Sequence, residues 1–123
     1  MERVLGVGGV FFKARDPKAL AEWYAKHLGV PFDAGRTYGT FTAAAGDQTV
    51  WSMFPEDTSY FAPSPASYMF NFRVRNLAAM LQQLRDAGVQ VDDKVEEYDY
   101  GNFGWVMDPE GNRIELWEPK TAF

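Results

Sequence analysis

Residues 9–29, GVFFKARDPKALAEWYAKHLG, can be laid on residues 69–88, MFNFRVRNLAAMLQQLRDAG, with a single one-residue gap near the helix end. A chain of 123 residues that repeats at about half its length reads as a duplicated supersecondary unit. In the first copy Val10, Phe12 and Ala14 alternate with Gly9, Phe11 and Lys13; in the second Phe70, Phe72 and Val74 alternate with Met69, Asn71 and Arg73. A period of two argues for a strand with one buried face. Asp16-Pro17 then supplies an N-cap and a first-turn proline, and Leu20, Trp23, Tyr24 and Leu28 recur at helical spacing until Gly29 offers a C-cap. Asn76 opens the second helix, Leu77, Met80, Leu81 and Leu84 form its apolar stripe, and Ala87-Gly88 closes it.

Strand-like runs follow each helix: 38–45 and 49–54 in the first half, then 95–100, 104–107 and 113–117 in the second. The last two flank Asp108-Pro109-Glu110-Gly111, whose Pro and Gly suit a tight hairpin. The order is therefore β-α-β-β-β, twice, as modules of about 1–55 and 67–123 in a single domain. Residues 56–66, rich in Pro, Ser and Ala, connect them. One helix cannot cover both faces of a sheet, so each half is expected to shield one face and turn the other toward its twin or a second subunit. The predicted fold is α+β, a curled mixed sheet around a cleft with the helices on the outer face. Phe11, Lys13, Asn71 and Arg73, opposite the helix-facing set, should point into that cleft, which has the form of a small-molecule site.

Composition narrows the partners. Twelve basic against seventeen acidic residues leave a net charge of −5 with no basic cluster, which disfavours nucleic acid and anionic membrane. The longest uncharged stretch, 58–72, is interrupted by Pro63 and Pro65 and is too short to span a bilayer. The first residues lack the pattern of a secretory leader. The absence of cysteine removes disulfides, thiolate nucleophiles and Cys-ligated zinc, and fits a cytoplasmic protein. The aromatic share of 16% exceeds what one small core requires.

The duplicated pattern, the segment 8–29 with its Asp16-Pro17 and Trp23-Tyr24, and the ending Asp108-Pro109-Glu110-Gly111-Asn112-Arg113-Ile114-Glu115-Leu116-Trp117-Glu118 resemble the vicinal oxygen chelate superfamily. That superfamily includes glyoxalases, bleomycin-resistance proteins and extradiol dioxygenases, and the resemblance covers essentially the whole chain. It implies a homodimer. In metal-using members, ligands sit at the start of the first strand and near the end of a late strand in each half. By position, the first-strand sites fall on Gly9 and Met69, neither of which offers a nitrogen or oxygen side chain. Glu115 matches the late-strand glutamate of the second half, while 51–54 contains no His or Glu. One donor is too few for a hard divalent cation, which needs several to replace its waters.

Glu115 alternates with Ile114 and Leu116, on a face with Arg113 and Trp117. It reads either as metal ligand, general base or anchor for a cationic ligand, or as a carboxylate satisfied by a neighbouring strand or Arg113. His27, at a helix C-terminus, reads as structural. Glu96, Tyr98 and Tyr100 alternate with Val95, Glu97 and Asp99, so a tyrosine-lined or an acidic face looks inward, unless this is a charged edge strand. Trp51, Phe54, Tyr60, Phe61, Phe103 and Trp105 suit stacking on a planar ligand or packing in a core or dimer interface.

The leading expectation is a metal-free small-molecule-binding protein with no cofactor. Its ligand-binding residues are Phe11, Trp51, Phe54, Met69, Asn71, Arg73, Tyr98, Tyr100, Trp105 and Glu115, with Glu96 and Asp99 helping to orient a basic or polar ligand. The rival is a metal-dependent lyase or isomerase resembling glyoxalase, or a related dioxygenase. There Glu115 is catalytic and holds manganese, nickel, zinc or iron to polarise a carbonyl or enediolate. A third reading uses Lys13 and Arg73 to bind an anion.

Overall fold

The computed structural model describes residues 1–3 and 5–120. Both expected helices form where their caps permit. Helix α1, Pro17–Leu28, starts with the Asp16 carboxylate accepting from the Ala19 N–H at 3.1 Å. It ends at Gly29, whose φ of 69° is the left-handed conformation that a residue with a side chain avoids. Helix α2, Leu77–Asp86, is capped by Asn76 accepting from Ala79 N–H at 3.0 Å.

Four strands build one open mixed sheet in the order β1-β4-β3-β2: β1 Phe70–Arg73, β2 Val91–Tyr98, β3 Gly101–Met107 and β4 Arg113–Pro119. β1 runs parallel to β4, and the other pairs are antiparallel. With α2 inserted after β1, this is the β-α-β-β-β unit expected of the second half. β2 starts at Val91 rather than Val95, because a bulge between those two lets pairing with β3 resume beyond the irregularity. β3 starts at Gly101 rather than Gly104, since Tyr98 already pairs with Gly101 at the head of the hairpin. Both helices cover one face. Leu20 and Tyr24 of α1 and Leu77, Leu81 and Leu84 of α2 bury against Val106, Ile114 and Leu116.

The first half departs from expectation. Among the described residues, 10–14, 38–45 and 49–54 form no ladder, and the half contributes α1 and one isolated bridge, Phe32 to Gly39. The second half builds the four-stranded sheet from its own strands, and among the described residues no first-half segment adds to either of its edges. Helix α1 therefore shares the second half's core instead of backing a sheet of its own. Phe12 reaches the rim of β1, 4.7 Å from the Phe70 ring, while Phe11, Trp51 and Met53 remain 97%, 78% and 87% exposed.

The hairpin between β3 and β4 ties the halves together. Glu110 accepts from the Arg15 and Asp16 N–H groups at 2.7 and 3.0 Å, anchoring the chain at the start of α1. Glu118 does the same for α2, accepting from Leu77 N–H at 2.7 Å. No helix among the described residues is long and apolar enough to cross a membrane.

Candidate functional site

The sheet face away from the helices carries the polar residues. Register places Asn71 of β1, Glu115 of β4 and Trp105 of β3 in one row across three strands. Asn71 Nδ2 donates to Glu115 Oε1 at 2.7 Å, and Trp105 Nε1 donates to Oε2 at 2.9 Å. A third donor arrives from the connector: the Tyr60 hydroxyl lies 2.5 Å from the same Oε2. Burial, then the hydrogen bond to Glu115 and its charge, push the Tyr60 phenol well above its ordinary value, so it stays a neutral donor. Glu115 is thus buried yet satisfied, as a carboxylate removed from water must be.

Aromatic rings surround this row. Phe54 stacks on Tyr60 at 5.4 Å with an interplanar angle of 15°, and Tyr60 meets Trp105 edge-on at 6.2 Å. One register step away, Phe103 stacks on Trp117 at 6.1 Å and receives the edges of Tyr98 and Tyr100, which lie parallel to each other at 5.2 Å. Gly101 makes room for this arrangement, because a Cβ there would sit 2.4 Å from the Trp117 indole nitrogen. On the other side of the row, the Arg113 guanidinium lies 5.0 Å over the Trp105 ring and 3.3 Å from Asp92.

The expected site residues separate into groups. Asn71, Trp105 and Glu115 come together, with Phe54 joined through Tyr60. Tyr98 and Tyr100 form a second aromatic cluster beside them, and the tyrosine-bearing side of β2 shares the face with Phe103. Glu96 is held by Lys94 at 2.8 Å and by the Tyr98 hydroxyl. Arg73 shares the face of Asn71, opposite Trp117, and reaches the Gln48 carbonyl and, at 3.7 Å, Asp47. Met69 lies just before β1, and Phe11 and Trp51 stand away from the row, exposed. His27 sits in the last turn of α1 beside the Trp23 ring at 5.3 Å. Tyr60, read from the sequence only as a stacking or packing aromatic, adds its hydroxyl to the Glu115 row, and Arg113 adds its guanidinium over Trp105. Tyr60 lies in an aperiodic connector, and Arg113 was visible only as a neighbour of Glu115 in the alternation.

The divalent ion that the family resemblance implies would fall at Glu115. Among the described residues, no three His, Asp or Glu side chains converge. The one carboxylate at the expected position has both oxygens facing N–H or O–H donors. A cation there would meet the positive ends of three dipoles, so these residues do not fit a metal centre.

Comparison with known proteins agrees with the fold. Residues 9–117 match the family model described as glyoxalase-like domain. Among solved structures, a member of the glyoxalase/bleomycin resistance protein/dioxygenase superfamily from Sphaerobacter thermophilus aligns over 85% of this chain and 90% of its own. It shares 20% identity, with a TM-score of 0.52. TnmS3, an antibiotic binding protein from Streptomyces sp. CB03234, aligns over 85% and 88% at 22% identity and a TM-score of 0.52. Oxidase ChaP-H2 aligns over 89% and 91% at 17% identity and a TM-score of 0.53. The chain spans about half the length, 47–56%, of several other structures it matches. No curated protein sequence matches it significantly. With most of its length matched and the β-α-β-β-β sheet in place, the chain belongs to the glyoxalase-like domain family of the vicinal oxygen chelate superfamily.

Proposed function

We propose that this protein binds a small molecule on the open sheet face without a metal ion, and that it catalyses no lyase or isomerase step through Glu115. The observation that carries this reading is the engagement of both Glu115 oxygens by Tyr60, Asn71 and Trp105. A carboxylate so engaged is a scaffold for the surrounding rings, and those rings supply the apolar area on which a planar ligand stacks. The likeness to an antibiotic binding protein is in keeping with that use. The exposed apolar residues of 5–13 and 38–54 support a homodimer in which a second copy covers them. The lack of cysteine is in keeping with a reducing cytoplasm.

The test is elemental analysis after incubation with manganese, nickel, zinc and iron, paired with a screen of planar aromatic compounds read by tryptophan fluorescence. Negligible metal with saturable quenching is expected. Near-stoichiometric metal that disappears in Glu115→Ala overturns the proposal.

A further inference from the structure

Arg113, on the open face, has hydrogen-bonding capacity that the described residues do not use. The Arg113 side chain is only 11% exposed, its Nη1 lies 3.3 Å from Asp92 Oδ2, and its guanidinium covers Trp105. Its Nε is buried and has no hydrogen-bond partner among the described residues. A buried donor left unpaired is costly, so such a group invites an acceptor. Nε and Nη2 share the guanidinium edge that presents two parallel donors, the geometry a carboxylate matches with both oxygens.

A cavity of about 280 Å³ lies beside this group, where the ladder between β2 and β3 breaks at the bulge. Pro63, Trp105 and Met107 give it apolar walls, and Asp92 and Asp93 line it together with Arg113. Asp93 is exposed and has no ion-pair partner among the described residues. A simple anion would meet Arg113 but face two carboxylates, and a simple cation would meet the carboxylates but face Arg113.

We propose that this cavity binds a small zwitterion of amino-acid size. Its carboxylate lies on the Nε/Nη2 edge of Arg113, its ammonium group beside Asp92 and Asp93, and its apolar body against Pro63 and Met107. The inference rests on the small-molecule reading above and names the chemical class of the ligand.

Three probes of one shape decide it: phenylalanine, 3-phenylpropionate lacking the ammonium group, and phenethylammonium lacking the carboxylate. Each is titrated into the intact protein by calorimetry and tryptophan fluorescence. Phenylalanine is expected to bind about tenfold or more tighter than either single-charge probe, the worth of one charged hydrogen-bonded contact. Arg113→Gln and Arg113→Lys should both lose phenylalanine, because Lys keeps the charge without the fork. Asp93→Asn should weaken phenylalanine and leave 3-phenylpropionate unchanged or tighter. If Arg113→Gln does not fold, the probe series on the unaltered protein and the exposed Asp93→Asn variant still decide. Equal binding of phenylalanine and 3-phenylpropionate overturns the zwitterion. Failure of phenylalanine to bind, while neutral aromatic compounds still quench tryptophan, overturns this inference alone. Failure of every compound overturns the small-molecule reading with it.

Discussion

The Tyr24 hydroxyl donates to Asp108 Oδ2 at 2.8 Å, a buried bond between residues 84 apart in the chain. Asp108 also accepts from the Glu110 and Asn112 N–H groups at 2.8 and 2.9 Å and from Asn112 Nδ2 at 2.6 Å. One carboxylate therefore shapes the β3–β4 hairpin and fastens the first half's helix to it. Tyr24→Phe keeps the ring and removes the donor, and should cost about 1–3 kcal/mol in urea unfolding. Asp108→Ala should cost more, because it strips four donors at once. A Tyr24→Phe loss below about 0.5 kcal/mol would show that water replaces the bond.

Glu115 answers to a similar argument with a different readout. Glu115→Ala leaves the Tyr60, Asn71 and Trp105 donors facing an apolar methyl, and a loss of about 2–4 kcal/mol is expected. Tyr60→Phe removes one donor of the three and should cost nearer 1 kcal/mol, about the net worth of a single hydrogen bond. Because Trp105 donates directly to Glu115, its fluorescence maximum should move in both variants. Unchanged stability and emission in Glu115→Ala would mean that the row is not the scaffold described.

Exposed apolar side chains on 38–54 predict association. Trp51→Ser combined with Met53→Ser removes two of the largest exposed apolar groups, 78% and 87% accessible, without touching the core. Light scattering should show the protein shifting toward monomer, while the urea midpoint of the monomer stays within about 0.5 kcal/mol of the parent. An unchanged mass distribution would rule these residues out of the interface.

What the sequence disclosed follows from which signals are local. Asp16, Pro17, Asn76 and Gly29 act within one turn of chain, so both helices were legible almost to the residue. The alternation over 113–117 put Glu115 and Trp117 on one face, and the register confirms that they share it with Asn71 and Trp105. The alternation over 10–14 and the strand-like runs 38–45 and 49–54 misled, because such patterns state that a segment can be a strand and not what it pairs with. The hydroxyl bond of Tyr60, read from the sequence only as one of the stacking or packing aromatics, was hidden for the opposite reason. Its connector has no period, and only the folded chain brings the hydroxyl to a carboxylate 55 residues away.

Acid should loosen α1 at its start. The Glu110 carboxylate lies below its ordinary value of 4.5, chiefly because the Arg15 and then the Asp16 N–H groups donate to it. A lowered folded-state value stabilises above the unfolded one, and that contribution is lost as pH falls through the folded one. Stability should therefore decline from about pH 4.5 downward. Glu110→Gln should flatten part of that decline, and hydrogen exchange at residues 15–20 should accelerate first. A variant with the parent's full acid slope would remove Glu110 from the account.

Alkali tests the Tyr24 and Tyr60 phenols together. Burial acts first on both Tyr24 and Tyr60, followed by the hydrogen bonds to Asp108 and Glu115, and each phenol is raised above its ordinary 10.0. The folded state then keeps protons that the unfolded chain releases above about pH 10, so the unfolded state binds fewer protons and stability falls as pH rises. Below that pH the contribution is fully present. These two should yield their phenolate absorbance only as the protein unfolds. Tyr24→Phe with Tyr60→Phe should start less stable and lose less between neutral pH and the alkaline limb. A single ionisation wave near the ordinary value, in protein that is still folded, would mean that neither hydroxyl is held by its carboxylate.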